Sequence, residues 1–203
     1  SCASANIMWE EIITDKDTAR LVREYLLGGL SVECLQDLHS ECEVGGTEAA
    51  KFVVETLMDT TIDYILGLLN DDDAYQAIGP VNIPQFSDIN DALDNVPQIL
   101  ASQADGLTFE EMGSFLDEGL QKNDAARIKY GENHLKLASL LGLAVLYKDK
   151  TDPWVGRISE VGKLYLELGH DDRRKLVSRL LFRIPIIRAI YKDALSKAVD
   201  IDD

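Results

Sequence analysis

Positive charge is nearly missing from the first 121 residues of this chain. Lys16, Arg20, Arg23 and Lys51 are the four basic residues there, against 24 acidic ones, a net of −20. Phosphate neutralisation by Lys and Arg dominates nucleic-acid affinity, so this stretch offers a polyanion almost nothing to hold. Cysteine is scarce as well. Cys2, Cys34 and Cys42 are the three in the chain, too few and too clustered for a disulfide framework. Cys34, His39 and Cys42 lack the fourth ligand a structural zinc site wants, so they read as helix-packing or surface residues. No metal or other cofactor is expected. No apolar run reaches the roughly 18 residues of a membrane span, and no membrane association is expected. Ser1 to Asn6 has neither the basic start nor the apolar run of a secretory signal, which makes the cytoplasm the expected compartment.

A packable core is present, since 46% of the residues are hydrophobic. The rest of the charge sits late in the chain. Residues 122–203 hold 16 basic against 12 acidic residues, a net of +4, which rises to +7 when Asp200, Asp202 and Asp203 are left off. The whole chain is still at −16. Such a split suggests an acidic, partner-facing part joined to a mildly basic part. Gly79-Pro80 and Pro84 mark a connector, so the expected division is an acidic helical region, 1–79, and a second domain, 80–203.

Local signals fill in the elements. Thr14 or Asp17 can cap a helix from about Thr18 to Leu27, stopped by Gly28-Gly29, and Ser31 a second that ends at Gly45-Gly46. Thr47 caps a longer helix in which Ala50, Val53, Val54, Leu57, Ile62, Ile65 and Leu66 keep helical spacing, closed by Asn70-Asp71-Asp72-Asp73. Those carboxylates lack the alternating ligands and turn glycine of a calcium loop. From Asp88 to about Gln103 the pattern is helical, bent near Pro97. Thr108 and Glu111 have capping-box spacing over a short helix to Leu116. Asn123 or Asp124 starts a helix that runs to Leu141, with Gly142 as its stop. Leu143–Tyr147 and Trp154–Ile158 then read as the strands of a hairpin, and Ser159 caps the helix after it. A last helix spans about Arg173 to Ala198, bent near Pro185.

The fold class expected is therefore mainly α: a helical N-terminal part, a winged helix-turn-helix with a small β-hairpin wing, and a long C-terminal helix. In such a module a rigid helix pair presents its second helix to the major groove, and the wing reaches backbone or minor groove. Ile128, Leu135, Ala138 and Leu141 can face inward on the presenting helix, leaving Lys129, Asn133 and Lys136 on one outer stripe. Lysine attracts phosphate and Asn can pair with adenine. Lys148 and Lys150 lie at the wing tip and Arg157 on its return strand. These six are the candidate DNA-binding residues, with Glu132, Asp149 and Asp152 diluting their charge.

Leu107-Thr108-Phe109-Glu110-Glu111-Met112-Gly113, the run from Lys129 through Lys136 to Leu143, and Ile158-Ser159-Glu160-Val161-Gly162-Lys163 together resemble a winged-helix module of proteins associated with bacterial restriction-modification and related defence systems. The resemblance covers about residues 84–190 and implies binding of double-stranded DNA as an accessory to defence or regulation.

No enzyme is expected. A restriction nuclease would need an Asp followed by Glu-x-Lys; Glu48-Ala49-Ala50-Lys51 has the wrong spacing, as do Asp15-Lys16, Asp149-Lys150 and Lys192-Asp193. His39, His134 and His170 lie near no nucleophile motif, and no phosphate-binding glycine loop is present. Arg173, Arg174, Lys175, Arg179, Arg183 and Arg188 alternate with apolar residues, a helix that could pack on the winged domain, form a dimer seam or receive the acidic half. Three readings follow: a DNA-binding regulatory or accessory protein whose acidic half self-associates, recruits a protein partner or covers the basic face; a protein–protein adaptor on a winged-helix scaffold; and a nuclease subunit.

Overall fold

The computed structural model describes residues 15–27, 46–69, 89–117, 123–148 and 153–199. The described residues are mainly helical, with one small antiparallel sheet. In chain order they form α1 (Asp15–Leu26), α2 (Gly46–Asp59), α3 (Ile62–Leu69), a π turn (Asp91–Asn95), α4 (Val96–Ala101), β1 (Leu107–Thr108), α5 (Phe109–Leu116), α6 (Asp124–Leu140), β2 (Ala144–Tyr147), β3 (Val155–Ile158), α7 (Glu160–Glu167), α8 (His170–Leu180), a 3₁₀ turn (Leu181–Arg183) and α9 (Pro185–Val199). Cys2, Cys34, His39, Cys42, the Asn70–Asp73 run and Lys150 lie outside the described residues. No described helix is long and apolar enough to cross a membrane.

The chain divides into two compact units, residues 1–78 with 169–203, and residues 79–168. The C-terminal helices, expected as an extension of the winged domain, belong instead to the first unit. The reason lies in their arginines. Helix C-termini leave carbonyls without intrahelical partners, and cations complement them. Arg183 donates to Tyr25 O (2.6 Å) and Arg188 to Leu26 O (3.2 Å), at the end of α1. Arg179 donates to Leu57 O and Thr60 O, at the end of α2. Burial lowers the Arg179 pKa. Beneath these contacts Val22, Leu26, Val53, Val54, Leu57, Ile65, Leu176, Leu180 and Phe182 are buried.

Two expected single helices are broken. The long helix from Thr47 separates at Thr60 and Thr61. Thr60 Oγ1 turns back to Thr56 O (2.5 Å), while Thr61 Oγ1 accepts from Tyr64 N and caps α3. Thr side chains compete with the backbone in this way, and the apolar spacing runs on regardless. The C-terminal helix breaks at the 3₁₀ turn before Pro185, which has no N–H to continue α8.

The described residues of the second unit combine helices α4 to α7 with a sheet of strand order β1-β3-β2. In β2 and β3, Ala144 pairs with Ile158 and Tyr147 with Val155; in β1 and β3, Leu107 pairs with Gly156. Val96, Leu100, Leu107, Met112, Leu116, Leu135, Ala138 and Ala144 form the core, with Phe109, Leu146 and Ile158 against it. Ahead of Pro97, the Val96 N–H reaches Asp91 O, an i→i−5 bond that widens the helix where the proline cannot donate.

Candidate nucleic-acid interface

Three local devices orient α6. The first is at its start, where Asn123 Oδ1 accepts from Ala126 N. The second is at its end. Gly142 takes φ +77°, Gly142 N bonds Ser139 O, and Leu143 N bonds Ala138 O, both at 2.9 Å. This is a Schellman stop, and it turns the chain into β2. The third is the crossing with α5. A Cβ added at Gly113 would lie 2.1 Å from Arg127 O, and one at Gly131 would lie 2.1 Å from Phe109 O. The backbones meet where only glycine fits. α5 itself is held by the Thr108–Glu111 capping box.

The inward face of α6 is Gly131, His134, Leu135, Leu137 and Ala138, all buried. Ile128 was expected there and is 38% exposed instead. Close approach at Gly131 centres the buried arc on small residues and leaves Ile128 at its margin. His134 is fully buried; its Nδ1 lies 2.8 Å from Tyr130 O and its Nε2 3.8 Å from Asp91 Oδ2, which also accepts from Tyr130 OH.

Lys129, Asn133 and Lys136 lie on the opposite face. The two lysine side chains are exposed, 60% and 46%, and Asn133 is half-buried. Both lysines grip one carboxylate: Lys129 Nζ is 2.8 Å from Glu132 Oε2, and Lys136 Nζ is 2.5 Å from Glu132 Oε1. Hydrogen bonds from Lys129 and then Lys136 hold the Glu132 pKa below its ordinary value. Lys136 Nζ also stands 6.0 Å from the Phe109 ring centre.

The β2–β3 hairpin is fastened at its base. Ser159 Oγ donates to Gly142 O (2.6 Å) and accepts from Gly162 N (2.8 Å), tying the end of α6 to the start of α7. Lys148 is exposed just past β2. Arg157 is exposed too, but it is engaged: Nε donates to Asp105 O (3.2 Å), and its guanidinium stacks 4.8 Å from the Tyr147 ring, whose OH bonds the same carbonyl. No family model, curated protein or solved structure matches the chain.

Sequence spacing places Glu132 within reach of both lysines, at i+3 from one and i−4 from the other. It gives no such notice of Tyr147 and Asp105, because their meeting with Arg157 depends on strand register. Charge is also redistributed. Residues 79–168 hold 14 acidic against eight basic residues, a net of −6. The arginines that made the C-terminal half basic lie in the other unit.

Proposed function

We propose that residues 79–168 act as a winged helix-turn-helix and contact double-stranded DNA through α6 and the hairpin, in a regulatory or accessory role. The observation that carries this is the outward stripe Lys129–Asn133–Lys136, on a helix locked from behind at Gly131 and followed by a two-stranded flap. In that role the lysines and Lys148 take phosphates, and Asn133 presents its amide to base edges. Arg157, held by Asp105 O and Tyr147, orients the wing. The net charge of the unit makes the contact weak, and its lysine–phosphate contacts make it salt-sensitive. The resemblance to restriction-modification and defence-associated modules supports the same role.

A second reading is an adaptor that binds protein. The −6 charge favours it, as do the exposed Phe115, Ile128, Val145 and Trp154 on that unit. Duplex binding by the full chain at low salt separates the two. The DNA reading expects binding that drops on Lys129→Ala with Lys136→Ala; no binding by the unaltered chain leaves the adaptor.

A further inference from the structure

We infer that Glu132 is a specificity-determining residue of the α6 ridge, accepting a hydrogen bond from the exocyclic amino group of cytosine N4 in the major groove. This rests on the DNA reading above. Glu132 sits at the middle of the ridge, between Lys129 and Lys136, which are separated by about 10 Å along the helix axis. Its side chain is 21% exposed, and its two oxygens are each taken by one lysine. Phosphates compete for those same ammonium groups. When the lysines turn outward to flanking phosphates, the carboxylate stays ionised at neutral pH and faces the groove with both oxygens unclaimed.

A desolvated carboxylate without a donor is costly, and a carboxylate against an acceptor is worse. In the major groove, guanine presents N7 and O6 acceptors, thymine an O4 acceptor and a methyl group, and only the amino groups of cytosine and adenine donate. Adenine N6 lies beside the N7 acceptor, which repels a second carboxylate oxygen; cytosine N4 has no such neighbour on its own base. Asn133, next in sequence, has the bidentate donor and acceptor that adenine wants. The two adjacent side chains therefore divide the amino-bearing bases between them. The lysine clamp also keeps the carboxylate from drifting in the free protein, so Glu132 acts first as a brake on unspecific phosphate contact and then as a reader.

The test uses the full chain, with Glu132→Ala and Glu132→Gln, against a randomised duplex library followed by affinities for the selected duplex and its single-base variants at low salt. The unaltered chain is expected to prefer cytosine at one position. Glu132→Ala should tighten binding to random duplex severalfold while discrimination at that position falls about tenfold. Glu132→Gln, which both donates and accepts, should shift that position toward adenine. Tighter binding by both variants with every positional preference unchanged overturns the inference and makes Glu132 a charge brake alone. Absence of duplex binding by all three proteins removes the DNA reading itself, and this inference with it.

Discussion

Gly131→Ala is a one-carbon change with a large expected effect. The added Cβ would lie 2.1 Å from Phe109 O, 2.5 Å from Gly113 N and 2.9 Å from Gly113 Cα. All three are backbone atoms and cannot swing aside. Ordinary carbon–oxygen contact requires α5 and α6 to separate by about 1 Å, which opens the core around Met112, Leu135 and Ala138. Overpacking of this kind costs about 1–3 kcal/mol or more, and the better helix propensity of Ala returns up to about 1 kcal/mol. The net expectation is a loss of about 2 kcal/mol, or about 10 °C in the melting of that unit. Gly67→Ala is the control. Gly67 is also helical, but an added Cβ there has nothing within 4 Å, so the substitution should stabilise by about 0.5–1 kcal/mol. Thermal melts followed by circular dichroism compare the two. A Gly131→Ala melt at or above that of the unaltered chain would refute the crossing as the device that positions α6.

Ser159→Ala removes a cap and leaves a part-buried carbonyl at Gly142 without its donor, so urea midpoints should report a loss of about 1–2 kcal/mol. Arg188→Ala opens space in the helical unit and strips donors from Leu26 O and Phe182 O; about 3 kcal/mol of destabilisation is expected by the same measurement. Glu111, through hydrogen bonds from the Thr108 backbone and hydroxyl, and Glu132, through Lys129 and Lys136, both have lowered pKa values. Their contributions are therefore complete above the unfolded value of about 4.3 and disappear as pH falls through the folded values. Urea midpoints of Glu111→Gln with Glu132→Gln should fall below the unaltered chain at pH 7 and converge with it below about pH 4; a gap that persists in acid would contradict the capping and clamp roles.

Much of residues 79–168 is legible in the sequence because its boundaries are set by local chemistry. Thr108, Asn123 and Ser159 each cap the helix expected of them, and Gly142 ends α6 in the left-handed conformation that favours glycine. β1 escapes such reading. Two residues, Leu107 and Thr108, are a strand only because β3 lies beside them. The inward face of α6 is read correctly at Leu135, Ala138 and Leu141 and missed at Ile128, since the crossing is set by glycines that carry no hydrophobic signal. His134, a polar residue, is buried because Tyr130 O, one turn back, accepts from its ring and Asp91 stands near, and Asp91 is a partner that periodicity cannot reveal. The destination of the C-terminal arginines is hidden for a similar reason. A basic amphipathic helix looks the same whether its guanidinium groups meet phosphates or, as here, helix-end carbonyls.

Duplex-DNA affinity of the full chain, measured as salt rises from about 50 to about 200 mM, tests the role of the α6 ridge most directly. Three cationic contacts, from Lys129, Lys136 and Lys148, give a log–log slope of about −2.7 and a loss of about 40-fold over that range. Lys129→Ala with Lys136→Ala should reduce the slope by about 2. Binding that is absent at the lowest salt, or present with a slope unmoved by that double substitution, would contradict DNA contact through this ridge.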